Sequence, residues 1–158
     1  MVGDGPEEQH LRAEVQARGL KEEVIFLGFR DDIPNVLKEV DILVLPSTTE
    51  AFPRVVIEGM AMGLPVIGTS VGGIPEAIVH GKTGLVVPPR DPGALHEALR
   101  ILITSPDLRT RFGIEGRKRV ETLFDNELNV HKVEDIYTTL LHPSGENVIE
   151  SPAAQPTL

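Results

Sequence analysis

The chain has 158 residues, 41% of them hydrophobic, which is enough for one domain with a core and short for two. The absence of cysteine excludes disulfide scaffolds, thiolate nucleophiles and cysteine-based zinc sites, and fits a reducing, cytoplasmic setting. With 24 acidic against 15 basic residues the net charge is -9, and aromatic side chains make up only 4%, so nucleic acid is not an expected partner and a ligand must be held by backbone groups, charges and small side chains.

No apolar run approaches the roughly 20 residues of a membrane span, and Met1 leads into Val2-Gly3-Asp4-Gly5 instead of a basic segment followed by an apolar one. A soluble chain without a transmembrane segment is expected, with peripheral membrane contact left open. Gly3-Asp4-Gly5-Pro6-Glu7-Glu8 begins like a dinucleotide-binding fingerprint, but Glu8 stands where the third glycine belongs. The segment therefore reads as a tight strand-to-helix turn, followed by a helix over about 6 to 18.

Val24-Ile25-Phe26-Leu27, Ile42-Leu43-Val44-Leu45, Pro65-Val66-Ile67-Gly68 and Gly84-Leu85-Val86-Val87 are short branched-apolar runs without polar alternation. They predict strands buried on both faces, as in a parallel sheet. Helices are expected between them over about 31 to 39, 54 to 62 and 73 to 79, which is the α/β pattern of repeated βαβ units. Gly81-Lys82-Thr83 is similar to the end of a phosphate-binding P-loop, yet Glu76 occupies the place of its first glycine and a strand follows where a helix is needed, so it reads as a turn.

Beyond Val87 the chain turns helical. Asp91-Pro92 supplies a cap and a first-turn proline for a helix carrying Leu95, Ala98, Leu99 and Leu102, and Ser105-Pro106 repeats the device. On the second of these helices Arg109, Arg111, Arg117, Lys118 and Arg119 are interleaved with Glu115 and Glu121, as on a solvated face. A third helix is expected from Asp125, with Val133, Ile136, Tyr137, Leu140 and Leu141 in an apolar stripe that must pack on something. Residues 142-158 read as a disordered tail after a domain spanning 1-141. The histidines at 10, 80, 96, 131 and 142 have no paired spacing, so they are expected at the surface and no metal site is expected.

The stretch from Leu45 to Gly63 combines a strand end, a polar loop, an acidic residue and a helix start. Free amides in the first helical turn make an anion site able to hold a diphosphate without lysine or metal. Glu58, one turn into that helix, has the geometry to accept two hydrogen bonds from a vicinal diol such as a ribose. It can equally be a surface glutamate paired with Arg54, and spacing alone does not decide between the two.

Glu50 and Glu58, with seven residues between, resemble the E-x7-E motif of retaining glycosyltransferases of family 4. Pro46-Ser47, Ala61-Met62-Gly63-Leu64-Pro65-Val66-Ile67, Thr69, Gly72-Gly73, Pro75-Glu76, Gly81-Lys82-Thr83-Gly84, Val2-Gly3-Asp4-Gly5-Pro6 and Phe26-Leu27-Gly28-Phe29 look like the same family's donor domain, in order, over about residues 2 to 141. The resemblance implies the C-terminal half of a GT-B fold, a Rossmann-like doubly wound parallel sheet with additional C-terminal helices, binding a nucleotide-diphosphate sugar as co-substrate without a metal or other cofactor.

Carried over by position, the resemblance makes Glu58 the ribose ligand and Glu50 the catalytic residue facing the donor sugar. Phe52, Pro53 and Arg54 lie by the sugar and diphosphate, Gly28, Phe29 and Arg30 by the nucleobase, and Gly5 at the adjacent strand end. Pro53 has no N–H, which removes one donor.

The family's N-terminal acceptor domain and the first strand of its donor domain, with an arginine and a lysine for the diphosphate, have no counterpart here. The expected sheet therefore has a gap between Met1-Val2 and Ile42-Leu45, and the chain alone is expected to bind donor weakly and not to catalyse transfer. The competing class is a non-catalytic nucleotide-binding or protein-interaction module derived from such an enzyme; the intact Glu50 and Glu58 favour descent from an active one.

Overall fold

The computed structural model describes residues 1–124 and 134–138. Three parallel strands, β1 (Leu43–Leu45), β2 (Val66–Thr69) and β3 (Gly84–Val87), form a sheet in the order β1-β2-β3. Leu43 pairs with Val66, and Val66 with Gly84. Helices α1 (Glu8–Ala17) and α2 (Ile33–Lys38) precede the sheet, α3 (Arg54–Ala61) and α4 (Ile74–Ala77) make the crossovers, and α5 (Pro92–Thr104) and α6 (Pro106–Leu123) follow. The fold is α/β, a parallel sheet of Rossmann-like type with helices on both faces, as the alternation of strand and helix predicts.

The pleat of the sheet divides the core in two. Leu43, Leu45, Val66 and Val86 point into a cluster with Val56 and Met60 of α3, Ile74 and Ala77 of α4, and Val120 of α6. Val44, Ile67, Leu85 and Val87 point the other way, onto Ala98 and Leu102 of α5 and Phe112 of α6. Because Phe112 and Val120 sit in different clusters, α6 wraps past the sheet and closes both. It approaches the loop after α3 so closely that a Cβ at Gly113 would lie 2.0 Å from the Gly63 carbonyl oxygen.

The first apolar run departs from expectation. Val24–Leu27 is extended but is not a strand of the sheet. Its partner is the N-terminal segment: the Met1 amino group donates to the Ile25 carbonyl, Leu27 N–H to Met1 O at 2.9 Å, and Gly3 N–H to Gly28 O at 2.8 Å. One face is covered, with the Arg12 guanidinium of α1 4.4 Å over the Phe26 ring. The other is open: Ile25 and Leu27 are 66% and 45% exposed, along a groove of about 540 Å³ shared with Val36 and Val40. Burial on both faces was expected, but α2 does not close over this side.

The later helices follow their local signals with two corrections. Asp91 caps α5, its Oδ1 accepting from Ala94 N–H at 2.9 Å, whereas the Ser105 side chain makes no capping bond and α6 relies on the Ser105 carbonyl, which accepts from Leu108 and Arg109 N–H at 3.1 Å each. The basic face of α6 is not uniformly solvated. Arg109 donates to the carbonyls of Leu102 and Ile103 at the end of α5, and Arg119 to those of Ala77 and Glu76 at the end of α4. Long cations thus satisfy orphan carbonyls at two helix ends.

Residues 134–138 are helical, and Ile136 and Tyr137 of the expected stripe are exposed there instead of buried among the described residues. The helix start at Asp125, Val133, Leu140, Leu141 and the tail over 142–158 lie outside the described residues.

Candidate functional site

The loop from β1 to α3 leaves the carboxyl end of the sheet, where open parallel sheets place their ligands. Three contacts fix its path. Thr69, at the end of β2 and 4% exposed, donates from Oγ1 to the Ser47 carbonyl at 2.6 Å. Gly73 N–H donates to Ala51 O at 3.2 Å. Gly72, at φ +51°, lies so near that a Cβ there would be 1.5 Å from the Glu50 carbonyl oxygen. Glycine is therefore needed at residue 72 twice, for the left-handed backbone and for the close approach.

Pro53 is fully buried, with φ -82° and ψ 69°. Arg54 N–H turns back to Phe52 O at 2.9 Å, closing an inverse γ-turn centred on the proline. The Arg54 amide, which sequence reasoning assigned to the ligand, is thus engaged by its own chain. Of the amides flanking that turn, those of Phe52 and Val55 have no hydrogen-bond partner among the described residues. They are the donors that the start of α3 offers to an anion, and Val55 was not among the residues expected.

Glu58 and Arg54 share a face of α3, with Nη2 and Oε1 3.9 Å apart and side chains 42% and 81% exposed. That separation exceeds hydrogen-bond length, and a pair so exposed contributes little. The two thus form an exposed ion pair without a hydrogen bond, and the Glu58 carboxylate retains its acceptor capacity. Glu50 is half-buried and its carboxylate has no partner among the described residues. The Phe52 ring, 57% exposed, meets Phe124 with centroids 6.5 Å apart and planes at 58°.

The other expected residues form a second group. Gly3 N–H binds Gly28 O, which brings the Gly5 turn beside Gly28; Gly28 is left-handed at φ +63°, and Phe29 is 74% exposed. Arg30 donates to both Asp32 oxygens at 2.7 Å. The hydrogen bond from Arg30 holds the Asp32 carboxyl below its ordinary range, and the same bond raises Arg30. Arg30 faces the groove beside Ile25 and Leu27. No hydrogen bond or ion pair among the described residues joins this group to the Glu50–Glu58 loop.

Sequence reasoning did not find the Thr69–Ser47 bond, the ring contact of Phe124 with Phe52 or the anchoring by Arg119. The Gly72-Gly73 dipeptide was a visible signal, but not for what it touches. Among the described residues no cluster of three or more His, Cys, Asp or Glu could hold a metal, and no helix is long and apolar enough to cross a membrane.

Residues 1–119 match the family described as Glycosyl transferases group 1. The chain is 36% identical over 141 residues to an N-acetyl-alpha-D-glucosaminyl L-malate synthase of Bacillus anthracis, covering 89% of this chain and 37% of that protein. It resembles the solved sucrose-phosphate synthase of Thermosynechococcus elongatus with a TM-score of 0.81 and 33% identity, covering 90% of this chain and 38% of the other. Anabaena Alr3699/HepE, solved in complex with UDP, gives a TM-score of 0.82 at 27% identity, covering 87% of this chain and 40% of the other. The chain therefore spans less than half the length of these relatives. Its structural neighbours are glycosyltransferases of the GT-B fold, and its region corresponds to their C-terminal domain. A family match over most of the chain, on a parallel α/β sheet whose carboxyl end carries this loop, establishes that the chain belongs to the glycosyl transferases group 1 family.

Proposed function

We propose that this chain is the donor-binding domain of a retaining family 4 glycosyltransferase of the hexosyltransferase type, working in the cytoplasm with an acceptor-binding domain in the other half of the enzyme. In the reaction the bond from the anomeric carbon to the diphosphate oxygen breaks, a bond to an acceptor hydroxyl forms, and the hydroxyl proton is released. Glu58 accepts hydrogen bonds from the ribose diol. Glu50 and the free amide of Phe52 face the sugar, the free amide of Val55 and the exposed guanidinium of Arg54 stabilise the diphosphate as it leaves, and Gly5 and Gly28 to Arg30 border the nucleobase.

The observation that carries this reading is the loop itself. Gly72 and Gly73 hold its backbone at the sheet's carboxyl end while both glutamates keep their carboxylates uncommitted to a close partner. Crystal complexes of Anabaena Alr3699/HepE with UDP and with UDP-glucose support uridine diphosphate as the first ligand to test.

The test is calorimetric titration of uridine, guanosine and adenosine diphosphates against the full chain and Glu58→Ala. Losing charge-assisted bonds to the ribose weakens the preferred nucleotide by roughly 10- to 100-fold. Equal affinities for the two proteins refute the ribose role. The chain alone is expected to bind donor weakly and to transfer no sugar, and measurable transfer by the purified chain would overturn that part.

A further inference from the structure

The end of α6 reaches the site loop from behind. Arg119, in its last turns, is fastened to the Ala77 and Glu76 carbonyls at 2.9 and 2.7 Å. Phe124 caps the helix, its N–H donating to Val120 O at 2.9 Å, and its ring packs on the cluster containing Val56 and Met60. From there it meets the exposed Phe52 ring at a centroid distance of 6.5 Å, within the range of favourable tilted aromatic pairs. We propose that Phe124 is a positioning residue for the donor sugar, acting through Phe52. The proposal rests on the donor-site reading above.

The remaining parts of the loop have their own restraints. Glu50 abuts Gly72, Ala51 accepts from Gly73, and Pro53 is buried. Phe52 is the one large side chain of the loop that projects into solvent, and Phe124 is its ring partner among the described residues. The Phe52 amide, a free donor, moves with that ring. Glu58 depends on it far less, because Val56 and Met60 of α3, both fully buried, are also held by Val66, Ile74 and Val120. Loosening Phe124 therefore disturbs the Glu50–Phe52 side, where the sugar lies, and leaves the ribose ligand in place. A purely structural role would weaken both ligand parts together.

The experiment compares the full chain with Phe124→Ala, Phe124→Tyr and Glu58→Ala. It titrates uridine diphosphate and UDP-glucose, and it follows amide hydrogen exchange in peptides covering 50 to 55 and, as a folding control, 66 to 69. Phe124→Ala is expected to weaken UDP-glucose about three- to tenfold, the worth of one aromatic pair, and to speed exchange in the loop while the β2 peptide keeps its protection. Uridine diphosphate binding changes less than about twofold, and Phe124→Tyr, which keeps the ring, restores the wild-type values. Equal weakening of both ligands, no weakening of UDP-glucose, or failure of the tyrosine to rescue overturns the proposal. Unchanged loop exchange in Phe124→Ala, with Glu58→Ala still weakening both ligands, overturns the positioning role alone. If Glu58→Ala leaves both affinities intact, the donor reading fails and the proposal with it.

Discussion

Replacing Gly72 by alanine tests whether the site loop is held by direct backbone contact. The new methyl would lie 1.5 Å from the Glu50 carbonyl oxygen and 2.5 Å from its carbonyl carbon, at a backbone φ of +51°. Restoring van der Waals separation requires the loop to retreat by roughly 2 Å. The left-handed conformation costs about 1 kcal/mol for a residue with a Cβ. Retreat also breaks the bond from Gly73 N–H to Ala51 O, about 1 kcal/mol, and lifts Pro53 from its buried seat for about as much again.

The expected loss is therefore about 3 kcal/mol, or roughly 6 to 12 °C in Tm for a chain of this size. Gly81→Ala is the matched control. It has φ +75° and nothing within 4 Å of the added Cβ, so only the conformational cost remains, about 1 kcal/mol. Differential scanning calorimetry of the two variants reads the difference directly. Equal melting temperatures would refute the close approach of Gly72 to Glu50 and, with it, the argument that this glycine shapes the site.

Asp91→Ala removes the acceptor for Ala94 N–H and is expected to cost about 1 kcal/mol by urea denaturation, whereas Ser105→Ala, which removes no capping bond, stays within about 0.5 kcal/mol of wild type. Arg30→Gln returns the Asp32 carboxyl toward the ordinary aspartate range, so its titration midpoint followed by NMR rises. The sign follows from the depressed carboxyl. Any stability it supplies is present above the unfolded-state value and is lost as pH falls through the lower folded-state one, so the wild type and Arg30→Gln differ at neutral pH and converge in acid.

What could be read in advance was local. The runs at 42 to 45, 65 to 68 and 84 to 87 lie within two or three residues of Gly, Pro or Asp, and each became a strand of the sheet. Asp91-Pro92 announced α5 because cap and proline act within one turn. Val24–Leu27 carried the same signal, but whether such a run is buried on both faces depends on neighbours that the run itself does not encode.

The site divided in the same way. Glu50 and Glu58 could be singled out because the motif that they resemble is short-range, two glutamates with seven residues between. The contact of residue 72 with residue 50, the approach of residue 124 to residue 52 and the bond from residue 119 to residue 77 join distant parts of the chain, and no periodicity marks them. The Arg54 amide illustrates a subtler limit. Helix starts expose their first amides in general, but the buried proline before this one folds its carbonyl neighbour back onto Arg54.

Helix α6 presents Phe112 to one side of the core and Val120 to the other. Detaching it would uncover both hydrophobic clusters in a single step, which couples the melting of one to the melting of the other. The helix thus acts as a clasp, and it makes the sheet with α3, α5 and α6 one cooperative folding unit. The segment formed by Met1–Gly3 and Val24–Gly28, which places no residue in either cluster, lies outside that unit and is free to open at lower cost.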